Sequence, residues 1–268
     1  MKITRDNNNN VAFTFESEEN SFQKITDYWT DERKIAAIPI MPGVKDVIGQ
    51  FDGTATDPEK ADLSKMPFVT GGKLFFSRAG HNYVASANIM ESQNLLLTAA
   101  HCIQNNKTGE LGENYLFERC YDSGKSSEKL TFKTVALKEY WYSEKAWKWD
   151  YSIVILNSKS NVASPLEYST EGVDGKTATA FGYPSNFFSG KSMVFVKGIV
   201  TRESDSTWRI DGCKMREGCS GGAWVLEDNK TVIGVNSFGP ASTSINYGGS
   251  PIFDENFESL YQYVLTLN

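Results

Sequence analysis

The chain has 268 residues and a mass of 29.9 kDa, with 27 basic and 33 acidic side chains, four cysteines and two histidines. A formal net charge of -6 argues against a nucleic-acid-binding protein, which carries a basic footprint, and no run reaches the roughly 18 consecutive apolar residues of a bilayer helix. With only His81 and His101 and no C-x-x-C pair, histidine-rich and thiolate metal sites are excluded, so no metal and no cofactor is expected.

The first ten residues, MKITRDNNNN, are polar and lack the apolar centre of a secretory signal, so either the protein is cytosolic or a signal has already been removed. Residues 11 to about 70 mix charge with large apolar groups such as Phe13, Phe15, Ile25, Trp29, Ile38 and Ile40. That is too hydrophobic for a flexible tail, and a Gly- and Asp-rich stretch, FDGTATDPEKAD, predicts a long loop within it. Residues 1–70 are read as an extension or pro-segment lying on the main body. From Gly72 the texture changes to short apolar or alternating runs separated by turn residues, among them KLFFS, NYVASANIM, NLLLTAA, YSIVILN, TATAFGY and TVIGVNSF. Many short strands at this spacing predict an all-β sandwich or barrel. Near the end, Asp254 is placed to cap an amphipathic helix over ENFESLYQYVLTL, with Phe257, Leu260, Tyr261, Val264 and Leu265 at helical spacing.

Three short motifs carry chemistry. In LLLTAAHC, His101 directly follows a strand-like run, where an imidazole with a pKa near neutrality can act as a general base. A buried histidine with satisfied ring nitrogens gives the same local pattern. In WDYSIVIL, Asp150 heads an apolar strand, where a carboxylate can hold a histidine's other ring N–H, although aspartate before a strand is also ordinary turn chemistry. In GCSGGAW, Ser220 lies between Gly218 and the pair Gly221-Gly222, which allow a tight turn that exposes the hydroxyl and gathers N–H groups around it. GCSGG also fits the nucleophile elbow of α/β-hydrolases, but those enzymes place a histidine after the serine and none follows Ser220 here.

The chain order His101, Asp150, Ser220 resembles that of the chymotrypsin-like serine proteases, with their TAAHC, D-[IY]-[AS]-[LIV] and GDSGGP motifs. GGKLFF at 71–76, YWYSEKAWKWD at 140–150 and CKMREGCSGGAW at 213–224 are similar to the bacterial and fungal branch related to glutamyl endopeptidase. The resemblance covers roughly residues 70–265 and implies two packed six-stranded antiparallel β-barrels, the first over residues 71–165 and the second, with the C-terminal helix, over 166–268. It implies a serine endopeptidase in which His101, Asp150 and Ser220 form the triad and the N–H groups of Gly218 and Ser220 form the oxyanion hole. Within VNSFG, Ser237 and Gly239 would pair with an extended protein or peptide substrate. Lys214, Asn236 and Phe238 would lie near the primary specificity pocket. A monomer without nucleic-acid or membrane partners is expected.

Several positions depart from that pattern. Where animal relatives have an Asp that receives a new N-terminus on activation, this chain has Cys219, so activation by terminus insertion is not expected, though removal of residues 1–70 could still unmask a cleft. Cys219 could act as a nucleophile or redox switch, but a disulfide with Cys213 is the favoured reading, with Cys102 and Cys120 as the second candidate pair. An even cysteine count so arranged points to an oxidising, extracytoplasmic compartment, hence to secretion. Glutamyl-specific relatives place a histidine where this chain has Asn236, so acid recognition does not simply transfer. Lys214 or Arg216 could favour an acidic side chain, or both could face solvent. His81 sits in a polar turn with no assigned role, and the tryptophans 141, 147 and 149 are expected to pack a barrel edge or to wall the cleft. An inactive protease-like binding protein and an esterase using the same triad remain the alternative functions.

Overall fold

Apolar runs of four to eight residues bounded by turn residues can satisfy their backbone groups only by pairing, and here they pair into two sheets that are antiparallel apart from the short strands Ile38–Pro39, Gly43–Lys45 and Glu167–Tyr168. The computed structural model describes residues 1–16, 21–40, 43–45, 57–240 and 245–268, with the side chains of 43–45 outside the description. The loop expected over FDGTATDPEKAD therefore lies half outside the described residues, at 51–56, and within its described half Glu59–Lys60 form a short strand.

The N-terminal part contains strands β1 (Lys2–Arg5) and β2 (Asn10–Thr14), helices α1 (Phe22–Tyr28) and α2 (Asp31–Ala36), and the short strands β3 (Ile38–Pro39), β4 (Gly43–Lys45) and β5 (Glu59–Lys60). Ser21 and Thr30 cap the two helices by accepting the N–H groups of Lys24 and Arg33. The first half of the body then supplies β6 (Gly71–Arg78), β7 (His81–Ile89), β8 (Leu95–Thr98), helix α3 (Ala100–Ile103), β9 (Glu113–Arg119), β10 (Glu128–Lys138), helix α4 (Tyr140–Ser143) and β11 (Ser152–Leu156). Its ladder runs β10-β11-β8-β7-β6-β9, and β9 pairs again with β10, closing a six-stranded barrel. Leu74, Phe75, Phe76, Leu97, Phe117, Phe132 and Ile153 are among the fully buried residues of this core.

The β1–β2 hairpin is continuous with this sheet. β2 pairs with β10 from Asn10↔Lys138 to Thr14↔Thr134, and Val11, Ala12 and Phe13 are buried. Farther along, Trp29 packs on Phe75 and donates its indole N–H to Asn114 O at 2.6 Å. The buried Lys34–Glu118 ion pair at 2.5 Å ties α2 to β9.

The second half contains β12 (Glu167–Tyr168), β13 (Thr177–Gly182), β14 (Val194–Ser204), β15 (Thr207–Asp211), β16 (Ala223–Leu226), β17 (Thr231–Val235), β18 (Phe238–Pro240) and β19 (Tyr247–Pro251). They follow the order β12-β17-β16-β13-β14-β15-β19-β18, with β4 added beside β18 and β5 beside β14. The sheet curls until β17 meets β19, where Val235 N donates to Ser250 Oγ at 2.9 Å. Trp208, Trp224, Val200 and Ile210 fill its interior. The result is the all-β, chymotrypsin-like arrangement expected.

Helix α5 (Glu255–Leu267) starts at Asp254, whose carboxylate accepts the N–H groups of Asn256 and Phe257. Its buried face is Phe257, Leu260, Tyr263 and Val264. Leu265, expected on that face, is 42% exposed, and Tyr261 is only half-buried. The difference arises because β1 lies against the helix flank, where the Tyr263 hydroxyl donates to Thr4 Oγ1 at 2.9 Å.

Candidate active site

His101 and Asp150 meet because of strand register. β8 and β11 are antiparallel neighbours with Ser152 opposite Thr98, so continuing that register brings Asp150 beside the start of α3. A 3-10 turn over Trp147–Trp149 delivers Asp150, whose N–H donates to Trp147 O. The carboxylate is fully buried and accepts three hydrogen bonds. His101 N donates to Oδ1 at 2.8 Å, the ring Nδ1–H donates to Oδ2 at 2.7 Å, and the Ser237 hydroxyl donates to Oδ2 at 2.5 Å. The buried Arg78 holds the His101 carbonyl through Nη2 at 2.9 Å. Burial opposes the charged imidazolium, but the facing Asp150 carboxylate outweighs it, so the pKa of His101 is raised above its ordinary 6.5.

Ser220 lies on the turn before β16. Gly221 adopts φ +81°, and a Cβ there would meet Thr98 Oγ1 at 2.1 Å; a Cβ on Gly222 would meet Phe181 O at 1.9 Å. Only glycine allows this close approach of backbone to backbone. Residues of β7 reach across from the first barrel to hold the turn. Ser86 N donates to Ser220 O at 2.8 Å, Ser86 Oγ to Gly218 O at 3.0 Å, and Asn88 Nδ2 to Gly221 O at 2.9 Å. Ser220 Oγ and His101 Nε2 are both buried without a hydrogen-bond partner. Buried polar atoms are nearly always paired, so two orphans at one site are open for a third group.

Ser86, Asn88, Arg78 and the hydroxyl of Ser237 were not singled out for these contacts from the sequence. Arg78, Ser86 and Asn88 lie in strands and Ser237 between β17 and β18, each with a partner 23 to 133 positions away, and no local pattern marks them.

The residues expected to bind substrate divide. A small pocket of about 40 Å³ is bounded by Met215, Cys213, Cys219, Asn236, Phe238 and Gly239, together with neighbouring residues. Lys214 is not in its wall; its ammonium pairs with Asp57 at 2.8 Å. The amide of Asn236 is used internally, accepting from Trp224 Nε1 and donating to Phe181 O and Cys219 O. Arg216 borders the pocket, but its guanidinium donates to the carbonyls of Cys213, Met215 and Ile245 and to Asn246 Oδ1. The Phe238 ring leans on Trp147 with centroids 5.8 Å apart, although Trp147 itself does not bound the pocket, while Trp141 is buried and donates to Gln104 O. The N–H of Gly218 donates to Ile40 O at 3.0 Å.

The expected disulfides are not formed, and all four cysteines are buried free thiols. For Cys102 and Cys120 the reason is distance. Cys120 N bonds Gly71 O at the start of β6, whereas Arg78 at its other end bonds His101 O. An eight-residue strand spans roughly 25 Å, and a bridge requires Cα atoms within about 7 Å. Cys120 Sγ instead contacts the carbonyls of Leu63 and Val69. Cys213 and Cys219 share the second core as thiols. Burial raises Cys213 to about 11 and pushes Cys219 well above the ordinary thiol range, so neither offers a reactive thiolate.

Residues 72–254 match the family model Trypsin, well over half of the chain. Among solved structures, the thermostable serine protease AL20 from an extremophilic microorganism aligns with a TM-score of 0.69 at 28% identity, covering 74% of this chain and 98% of that one. The protease Anisep from Arthrobacter nicotinovorans gives a TM-score of 0.66 at 26% identity, covering 74% and 95%. A Glu endopeptidase, at 17% identity, a TM-score of 0.64 and coverage of 77% and 95%, shares the fold. Among curated proteins nothing matches the chain. The family match and the two-half β architecture together place this chain in the trypsin family of chymotrypsin-like serine proteases.

Proposed function

We propose that the protein is a serine endopeptidase acting through His101, Asp150 and Ser220. Ser220 Oγ attacks the peptide carbonyl while His101 Nε2 takes its proton and later returns it to the leaving amine. Water then hydrolyses the acyl-enzyme by the same route in reverse. Asp150 holds the ring in the tautomer with Nδ1 protonated and stabilises the imidazolium, and Ser237 fixes the carboxylate. The N–H groups of Gly218 and Ser220 would receive the oxyanion, where one donor is worth about 3 kcal/mol of transition-state stabilisation. The supporting observation is the asymmetry of polar satisfaction. Asp150 has three donors, while His101 Nε2 and Ser220 Oγ, the two atoms between which the proton must pass, are buried without partners, as are Arg78 Nε and Asn88 Oδ1 nearby. In a Michaelis complex these groups close up, since catalytic hydrogen bonds are often long in free enzymes.

With Lys214 held by Asp57, Arg216 spent on carbonyls and Glu217 in the wall beside Met215, Cys213, Cys219 and Phe238, the pocket disfavours an acidic side chain. The free thiols withdraw the cysteine argument for an oxidising compartment, so extracytoplasmic action rests on the family. The deciding experiment is labelling with a fluorophosphonate probe. Serine-dependent labelling that vanishes in Ser220→Ala is expected; its absence in every form of the protein would sink the catalytic reading. A mixed peptide library then separates peptidase from esterase, since an esterase would cut simple esters and no peptide bond.

A further inference from the structure

The N-terminal segment crosses the cleft itself. Ile40 N donates to Val84 O at 2.9 Å on β7, and the Ile40 carbonyl accepts the Gly218 N–H at 3.0 Å. Pro39 Cβ would sit 3.5 Å from a Cβ on Gly218. Immediately beyond, the backbone of Gly43–Lys45 pairs in parallel with Phe238–Pro240, the strand edge expected to receive an extended substrate. Both flanks are anchored. Before it, the buried Lys34–Glu118 pair and Trp29 fix the helices to β9; after it, Asp57 pairs with Lys214 and β5 adds to β14 at Val194 and Phe195. The nucleophile beneath has no exposed surface.

We infer that residues 38–40 and 43–45 form a built-in inhibitory strap, laid against the substrate cleft in the non-productive direction, with the Ile40 carbonyl occupying an oxyanion donor. This inference rests on the endopeptidase reading. Direction explains why the strap is not itself consumed. A productive substrate must send its leaving amine towards His101 on the first barrel. Here the amino-terminal side of Ile40 lies along β7 of that barrel, and the carboxyl-terminal side runs along β18 of the second half. The carbonyl therefore fills the donor while its amide nitrogen leads away from the general acid. Since losing one oxyanion donor costs about 10²- to 10³-fold in rate, a strap that also covers the pairing strand is a strong block. Activation then requires release of the contacts of residues 38–40 and 43–45 alone; the β1–β2 hairpin, with Val11 and Phe13 in the core, stays in the sheet.

The test compares the second-order labelling rate of a rhodamine fluorophosphonate on the full chain and on two loosened variants. Ile40→Pro removes the N–H that bonds Val84, and Val44→Pro disturbs the pairing with Gly239; two sites are used so that misfolding of one leaves the other. Each variant is expected to label at least 10-fold faster, with faster hydrogen exchange at the Gly218 amide, and a synthetic peptide of residues 36–46 should slow it again. Equal, Ser220-dependent labelling of the full chain and both variants would overturn the strap and leave the endopeptidase reading intact. No labelling in any form, with Gly218 exchange accelerated in the variants, would overturn the endopeptidase reading and the inhibitory role with it.

Discussion

The two halves of the body contribute to the site in different ways. The first barrel closes through a continuous ladder, and its contribution, His101 with Asp150, is set at the ends of two paired strands by register. The second half curls without closing its ladder in the same way, and its contribution, Ser220, sits on a turn that only glycines can make and that β7 of the first barrel holds in place. The proposed base is thus positioned by regular structure and the proposed nucleophile by close packing between halves. Damage to the first half should therefore show in pH behaviour, and damage to the second in stability and accessibility.

Removing either reacting group tests both halves at once: Ser220→Ala and His101→Ala should each lower kcat on a peptide substrate by about 10⁶-fold, and no second imidazole is placed to take over, since His81 is exposed at the start of β7. A residual rate above that in His101→Ala would break the assignment. Asp150→Asn probes the first half alone and should cost about 10⁴-fold. Its pH signature is specific. His101 serves as a base only when neutral, and Asp150 raises its pKa, so kcat/KM should fall as pH falls through a midpoint above 6.5. In Asp150→Asn the cause of the rise is gone while burial remains, so that midpoint should move down; an unmoved midpoint would detach Asp150 from His101.

Ser237→Ala crosses the comparison, because a hydroxyl of the second half supports a carboxylate of the first. Hydrogen bonds to charged groups are worth about 1.5–3 kcal/mol, which corresponds to a 10- to 100-fold loss in kcat. Loss of that donor should also move the acid limb upward, whereas a purely structural role would lower Tm and leave the limb alone. The smallest effect on chemistry and the clearest on folding is expected from Gly222→Ala. Its Cβ would stand 1.9 Å from Phe181 O, so the turn must shift at a cost of about 1–3 kcal/mol, read as a fall in Tm with slower labelling. Unchanged Tm would mean that the nucleophile turn is less tightly fitted than the geometry indicates.

How much of this was legible in the sequence follows the same division. His101, Asp150 and Ser220 stand in short motifs whose neighbours dictate local geometry, so order and spacing marked them as candidates, and the structure brings the first two into a hydrogen bond. The C-terminal helix was equally legible from Asp254 and a 3.6-residue period, but its inner edge was misjudged by a residue or two, because β1 covers Tyr263 and leaves Leu265 to solvent. The cysteines failed as predictors because pairing depends on distance. Nothing in the spacing of Cys102 and Cys120 reveals that they sit at opposite ends of β6.

By itself the sequence determined the fold class and put forward His101, Asp150 and Ser220, in that order, as the proposed triad, since alternation, glycine turns and motif context act over a few residues. Only the tertiary structure decided that Ser237 braces Asp150, that Ser86 and Asn88 hold the nucleophile turn, that the thiols stay apart, and that Ile40 lies on Gly218. These are meetings of single polar groups across dozens to well over a hundred positions. Such meetings are selected by the closing of the sheets, and no local preference encodes them.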